Sequence, residues 1–416
     1  MQQENDKSVK VIETFVDQKI EESKPAEKQI IRRKLYFFKD KSDLYKDIDP
    51  NNLPLLPKED PIGDRVVNQL LYAPPDYENY SKNLSVDKYK QIYYYDKMWG
   101  GFLRYGTEKF KSCLVFTCNI TDNIENADLV VFFRSNATAR SHPDQLQMFF
   151  TMESPLHFNR FPRNSFDLTS TYKRDSDIVA DYSTWLYYDD RIKKLPQTTN
   201  YAEGKTKKVA WFVSNCNAHN DRLKFALELQ KYIQVDIYGP CGGSKLSCPR
   251  SKQQECLQML RKDYKFYLSF ENSNCRDYIT EKAFSTALKH QVLPIVMGAR
   301  PEDYQRYMPE RSFIHVDEFQ SVQSLAAYLN LLDQDDVLYN SYFEWIGTGE
   351  ILTDQLMFCR LCGMLHNPDL DRSKFSLSDK SIVEFWNGEG ICNRENWKLK
   401  KTTQVVHFHT SKFYNF

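Results

Sequence analysis

The sequence predicts an α/β protein built from two doubly wound parallel-sheet units in series. Short apolar runs of strand length alternate with helical periodicity twice over, first from about Val66 and again from Val209. A polar stretch, Pro196 to Lys208, separates the two alternations and has the composition of a linker. At 416 residues, with 41% hydrophobic and 14% aromatic content, the chain has material for more than one core.

Met1 to Pro57 is charged and interrupted by Pro25, Pro50, Pro54 and Pro57, and is expected to be a partly disordered stem. Within it Val9, Ile12, Phe15, Val16 and Ile20 form one apolar stripe, which suits a helix from Ser8 to Glu22. In the first unit the expected strands are Gln69 to Ala73, Cys113 to Thr117, Leu129 to Phe133 and Met148 to Met152, the last running into Glu153-Ser154-Pro155. The second unit reads as a strand at Val209 to Val213, a helix at Asp221 to Tyr232 and a strand at Val235 to Tyr238. A helix near Gln253 to Arg261 leads to the strand Lys265 to Phe270, the polar turn ENSNCRD, a helix from Tyr278 to Lys289, and a strand at Val292 to Met297 closed by Gly298. Phe313 to Val316 and Ser321 to Leu332 add one more strand and helix, and the aromatic tail from Leu352 reads as a packed extension that frays after Thr402. The expected divisions are thus a stem at 1–60, units at 61–200 and 201–350, and an extension at 351–416.

Lys+Arg and Asp+Glu both number 56, a balance that gives no support to nucleic-acid or membrane-surface binding. There is no run of about 18 apolar residues to span a bilayer. Neither a G-x-G-x-x-G fingerprint nor a P-loop is present, so dinucleotide redox chemistry and P-loop chemistry are not indicated.

Polar residues gather where such units bind ligands. Glu271, Asn272, Tyr278, Glu281 and Lys282 crowd the carboxyl edge of the strand ending at Phe270, next to a helix start. A lysine in the first turn opposes the helix dipole, which points to an anionic partner. Glu153 sits at another strand's carboxyl end, held by a proline turn. Arg222 opens a helix after the Ser214-Asn215 strand end. The plainer readings are a solvated turn, a surface carboxylate, a helix-surface cation and, for Tyr278, a core aromatic.

The wording of these segments is more specific than their pattern. FENS followed by DYITEKAF, the VSN segment leading to Arg222, the E-S-P turn at Glu153, and YKRDSDI from Tyr172 to Ile178 together resemble the α1,3-fucosyltransferase family, with Lys173 where arginine is commoner. The resemblance implies two facing Rossmann-like domains of the GT-B type, acceptor side first, and inverting transfer of fucose from GDP-fucose to a GlcNAc hydroxyl. It implies Glu153 as catalytic base, and Arg222, Lys282, Asn272, Tyr278, Glu281, Glu271, Asn215, Tyr172 and Arg174 as donor-binding residues. An Arg222 and Lys282 clamp would carry the charge growing on the departing diphosphate, with no metal or tightly bound cofactor required and Mn²⁺ at most a stimulant. Two readings from other classes stand beside it: a metal-dependent transferase using the D-x-D pair Asp175 and Asp177, and an inactive glycan- or nucleotide-binding protein.

Ten cysteines, and sequons at Asn79, Asn83, Asn119 and Asn136, favour the secretory pathway. Cys359, Cys362 and His366, with Cys392, have spacing that suits zinc. The family resemblance instead pairs the C-x-x-C at Cys359 and Cys362 with Cys113 and Cys118, and leaves Cys241, Cys248, Cys256 and Cys275 for further bridges in several connectivities. It also implies a type II membrane protein of the Golgi lumen, whose N-terminal anchor this sequence does not contain. The acceptor is expected to be a glycoprotein glycan. The Y-G-x-C-G element at Tyr238 to Gly242 resembles members that modify the N-glycan core GlcNAc, with antennal lactosamine as the alternative.

Overall fold

The computed structural model describes residues 55–56, 64–82, 84–96, 105–133, 136–158, 166–189, 191–243, 245–353, 356–368, 370 and 379–393. The expected helix at Ser8 to Glu22, the sequon Asn83 and the chain beyond Thr402 lie outside them.

Apolar strands buried on both faces put two parallel sheets at the centre of the molecule. The first unit comprises helices α1 (Asp64–Leu71) and α2 (Tyr77–Lys82) and strands β1 (Lys90–Tyr94), β2 (Cys118–Ile120), β3 (Leu129–Phe132), β4 (Leu146–Thr151) and β5 (Leu168–Thr171). Its sheet has the order β2-β1-β3-β4-β5, and every pair is parallel. After β6 (Thr184–Tyr187) the second unit runs through β7 (Lys207–Phe212), α3 (Arg222–Leu229), β8 (Val235–Tyr238), α4 (Gln253–Asp263), β9 (Tyr264–Phe270) and the short β10 (Asn274–Cys275). It continues with β11 (Leu293–Met297), α5 (Pro301–Tyr307), β12 (Ile314–His315) and α6 (Val322–Gln334). This sheet, also wholly parallel, is ordered β12-β11-β9-β7-β8.

Counted from its own first strand, each sheet therefore has the order 2-1-3-4-5. In such a sheet the order reverses between the first and third strands, and the crevice outside their carboxyl ends is the natural ligand position. In the second sheet those strands are β7 and β9, and the loops leaving them carry Asn215 to Arg222 and Glu271 to Lys282. Every residue of β9 and β11 is buried, which makes this edge a rigid platform.

After α7 (Asp336–Asn340), β13 (Gly349–Leu352) pairs antiparallel with β6. Then α8 (Met357–Leu365) packs its Leu361, Cys362, Met364 and Leu365 into the core of the first unit. The disulfides Cys113–Cys359 and Cys118–Cys362 fasten it there. Last, α9 (Asp379–Asn387) buries Trp386 against Phe149 and Tyr172, and β14 (Cys392–Asn393) pairs with β10. Among the described residues no helix is long and apolar enough to cross a membrane.

Several local expectations are corrected. Gln69 to Ala73 is not a strand: Val66 and Leu70 are one helical turn apart, and Gln69 lies within α1 with its side-chain amide donating to the carbonyls of Leu55 and Asp177. Cys113 to Thr117 is an irregular segment, because the Tyr77 hydroxyl, rather than a neighbouring strand, takes the amides of Phe116 and Thr117. Several strands were not anticipated, among them β1 and β5. β1 hides its pattern behind four half-buried aromatic and polar positions, and β5 reads Leu-Thr-Ser-Thr yet is wholly buried, its threonine hydroxyls satisfied by Asp177 and Ser176. The expected helix from Tyr278 begins only at Lys282 and is π-wound as far as Ala287. In the turn before it, the Thr280 amide is held by the Glu271 carboxylate.

The cysteines also close differently from the four-residue set Cys241, Cys248, Cys256 and Cys275. Only Cys248 and Cys256 pair within it, while Cys241 joins Cys216 and Cys275 joins Cys392. The zinc reading of Cys359, Cys362, His366 and Cys392 has no geometry behind it. All three cysteines are disulfide-bonded, and His366 Nε2 bonds Thr117 Oγ1 at 3.0 Å. The sulfurs of Cys118 and Cys362 lie close to His366, but as one disulfide they offer no thiolate.

Candidate active site

Two turns meet where the carboxyl ends of the sheets face each other. The first is Glu153 to His157, at the end of β4, where Pro155 opens a single 3₁₀ turn. The second is Glu271 to Tyr278, after β9. The Ser154 and Ser273 hydroxyls bond at 2.6 Å, and both residues are fully buried. His157 Nε2 lies 3.3 Å from the Asn272 carbonyl, and the rings of His157 and His219 lie 4.8 Å apart.

Glu153 is half-buried, and one of its oxygens is fully engaged. Oε1 accepts from the Tyr278 hydroxyl at 2.8 Å, the Ser154 amide at 2.9 Å and the Asn272 side-chain amide at 3.3 Å. Oε2 takes no hydrogen bond among the described residues. A carboxylate held by three donors on one oxygen and open on the other is oriented and still able to accept a proton.

Tyr278 is buried, and its ring packs 4.8 Å from that of Tyr172. Burial raises both phenols well above their ordinary value, so Tyr278 is a hydrogen-bond donor to Glu153 throughout the neutral range. Tyr172 is backed in turn by Trp386.

Arg222 is 5% exposed, not a helix-surface cation. Its guanidinium donates from Nη1 to the Phe270 carbonyl at 2.6 Å and from Nη2 to the Asn215 carbonyl at 3.2 Å, with Trp211 alongside. It thus spans the carboxyl ends of β9 and β7 at the point where the strand order reverses. The Asn215 side chain is exposed and turns back onto the Asn217 amide.

Lys282 Nζ donates to Glu271 Oε2 at 2.9 Å, Thr280 Oγ1 at 2.6 Å and Glu281 Oε1 at 3.2 Å. Burial alone would lower the ammonium pKa, but Glu271 and Glu281 outweigh it and the net shift is upward. The lysine whose place in the sequence suggested an anionic partner therefore has an internal one. Glu271, expected to touch a ligand directly, is 0% exposed and spends its carboxylate on Thr280 and Lys282. Glu281, by contrast, is exposed.

The D-x-D pair does not converge. Asp177 points into the first sheet, accepting from the amide and hydroxyl of Thr169 at 2.7 and 2.8 Å. Asp175 faces outward to Lys173 and Arg276. Lys173 is buried, reaching the Phe385 carbonyl and the face of its ring. Arg174 meets the second unit through its amide, which donates to Asp277 Oδ2 at 3.3 Å, and its guanidinium lies over Tyr307. Of the sequons, Asn79 and Asn136 are exposed, whereas Asn119 lies in β2 with its side chain bonded to Gln91.

Sequence reasoning missed several members of this site. Ser154 and Ser273 carried no signal beyond being small, Asp277 was read only as part of the polar turn, and Thr280 only as a residue of the helix's first turns. Gly298 has a specific purpose: its φ is +144°, and a Cβ there would lie 2.6 Å from the Cβ and Cγ of Glu271.

Comparison with known proteins gives the family. Residues 202–379 match "Glycosyltransferase family 10 (fucosyltransferase) C-term", and residues 87–183 match "Fucosyltransferase, N-terminal". Glycoprotein 3-alpha-L-fucosyltransferase A of Drosophila melanogaster is 46% identical over 362 residues, covering 85% of this chain and 70% of that protein. The human 4-galactosyl-N-acetylglucosaminide 3-alpha-L-fucosyltransferase FUT6 is 39% identical, covering 53% of this chain and 60% of its own length. A solved α1,3-fucosyltransferase with GDP-fucose superposes with a TM-score of 0.46 at 20% identity, covering 67% of this chain and 91% of that one. With two family regions that together span most of the chain, and a relative of 46% identity along 85% of it, the chain belongs to the glycosyltransferase family 10 fucosyltransferases.

Proposed function

We propose that the protein transfers fucose from GDP-fucose to a GlcNAc hydroxyl of a glycoprotein glycan in α1,3 linkage, with inversion at the anomeric carbon. The observation that carries this is the grip on Glu153, whose Oε1 is fixed by three donors while Oε2 stays open, two of those donors coming from the turn that leads from the strand-order reversal to Lys282. In this reading residues 61–200 hold the acceptor and 201–350 hold the donor. Oε2 of Glu153 takes the proton of the acceptor hydroxyl. The acceptor oxygen bonds to fucose C1 as the bond from C1 to the β-phosphate oxygen breaks, and GDP leaves with that electron pair. Arg222 and Lys282 then carry the negative charge that collects on the diphosphate. Asn215 and Asn272 border the donor, and Glu281 meets the hydroxyls of its fucose.

The N-glycan core GlcNAc is the acceptor we favour. The relative named for glycoprotein substrates matches at 46%, against 39% for the relative named for galactosyl-GlcNAc. The pairing of all ten cysteines in disulfides suits an oxidising compartment and supports placement in the secretory pathway, with the Golgi lumen as the working location. The test is transfer from GDP-fucose to a panel of N-glycans and lactosamine glycans by the protein and by Glu153→Gln. Product on core glycans, lowered about 10²- to 10⁴-fold in the variant while GDP binding persists, is the expected result. Equal turnover by Glu153→Gln would remove Glu153 from the reaction.

A further inference from the structure

We propose that Glu271 is a positioning residue that fixes Lys282, and that Glu281 is the counter-ion Lys282 exchanges for the diphosphate of the donor. This rests on the donor site proposed above.

An ammonium has three N–H donors. On Lys282 all three are occupied, by Glu271, Thr280 and Glu281. A phosphate oxygen can bond this lysine only by displacing one of them. Two are not displaceable. Glu271 is 0% exposed and Thr280 1%, and each is tied to the other, the Thr280 amide reaching Glu271 Oε1 at 2.7 Å and the Thr280 hydroxyl lying 2.8 Å from Oε2. Releasing Glu271 would leave a buried carboxylate without its cation. The third partner, Glu281, has a 54% exposed side chain and the longest of the three contacts, 3.2 Å.

The seat of Glu271 is built for this task. Gly298, at the end of β11, leaves the space its side chain fills, and the Glu271 amide is held by the Met297 carbonyl at 2.8 Å. Glu271 therefore aims Lys282 from below, while Glu281 covers it from the solvent side until an anion arrives. Once released, the Glu281 carboxylate is free to accept from hydroxyls of the fucose, which GDP alone does not carry, so a GDP titration reads the exchange by itself. Arg222, whose charge is felt by Lys282, adds repulsion that the incoming diphosphate relieves.

The two glutamates should then act in opposite directions on the binding of GDP alone, measured by titration calorimetry. Glu281→Gln removes the competitor and strengthens GDP binding a few-fold. Glu271→Gln weakens it roughly 10- to 100-fold, the scale on which outer-shell partners act at metal sites. It also gives binding an earlier alkaline limb, because burial then lowers the Lys282 pKa against the attraction of Glu281 alone. Affinity of Glu271→Gln should begin to fall at a lower pH than in the parent protein, where Glu271 and Glu281 together hold the Lys282 pKa up. Failure of the parent protein to bind GDP would overturn the donor site itself. GDP binding by the parent, with Glu281→Gln weaker than parent, overturns the exchange, and this arm holds even where Glu271→Gln does not fold. A folded Glu271→Gln with parental affinity or a parallel pH profile overturns the positioning role.

Discussion

The Tyr278 hydroxyl, carried by the second sheet unit, donates to Glu153 Oε1, carried by the first, at 2.8 Å. This bond orients the candidate base only while the two units face each other as they do here. Tyr278→Phe removes it without changing the packing on Tyr172. We expect kcat to fall roughly 10- to 100-fold, with the KM for GDP-fucose little changed, because misorienting a catalytic group by a fraction of an ångström has effects of that order. Steady-state kinetics with a core N-glycan acceptor check it; an unchanged kcat would mean that the remaining two donors suffice.

Asp175 and Asp177 face different ways, one to Arg276 and Lys173 and the other into β5. Transfer should therefore survive EDTA, and Asp177→Ala should act on stability rather than on catalysis. Losing a buried acceptor of the Thr169 amide costs about 1–3 kcal/mol, which denaturant unfolding would register. Activity abolished by EDTA and restored by Mn²⁺ would return the pair to consideration.

Asp277 and Asp303 are buried together, Asp303 accepting from the Asp277 amide at 3.1 Å. Burial, and then the Asp303 charge, push the Asp277 carboxyl up to about 6. Around it stand Arg276, Asp175 and the Arg174 amide, with Arg300 and Arg306 on Asp303. A raised acid binds its proton more tightly folded than unfolded, so its contribution to stability is present at acid pH and is lost as pH rises through about 6. Asp277→Asn keeps an acceptor for Arg174 and removes the repulsion. The variant should gain stability relative to the parent as pH rises from about 4 to 7, by about 1–3 kcal/mol. Parallel melting curves across that range would contradict the shared burial of the two charges.

Cys275–Cys392 ties the turn beside the site to the C-terminal extension, and Trp386 of the same extension packs edge-on against Phe149 and Tyr172. Replacing both cysteines by serine should cost about 2–4 kcal/mol of stability, and Trp386→Ala about 3–5 kcal/mol. If the extension also steadies the site, Trp386→Ala should lower kcat at temperatures where the protein remains folded, since Tyr172 loses its backing behind Tyr278. Thermal melts and rates measured on the same samples separate the two effects.

The second sheet was legible because each of its main strands is an apolar run between helices with clear periodicity, as at Val235 to Tyr238 and β9. The first was harder to read. β5 spells Leu-Thr-Ser-Thr, and no local pattern reveals that Asp177 and Ser176 fold back to satisfy it. The helix predicted from Tyr278 was right in place and wrong in onset: it starts at Lys282, and the turn before it is held by a carboxylate nine residues earlier, which no local pattern shows.

By itself the sequence determined the α/β alternation, the strand ends that carry Glu153 and Glu271, and the family, since these depend on local periodicity and on contiguous motifs. Only the tertiary structure decided which of those charges face a ligand. Glu271 and Glu281 are indistinguishable as letters, yet one is sealed beneath Lys282 and the other is open. Burial and hydrogen-bond pairing are set by chain segments far apart in sequence, such as Gly298 beneath Glu271 and Tyr278 on Glu153, and no local pattern encodes them.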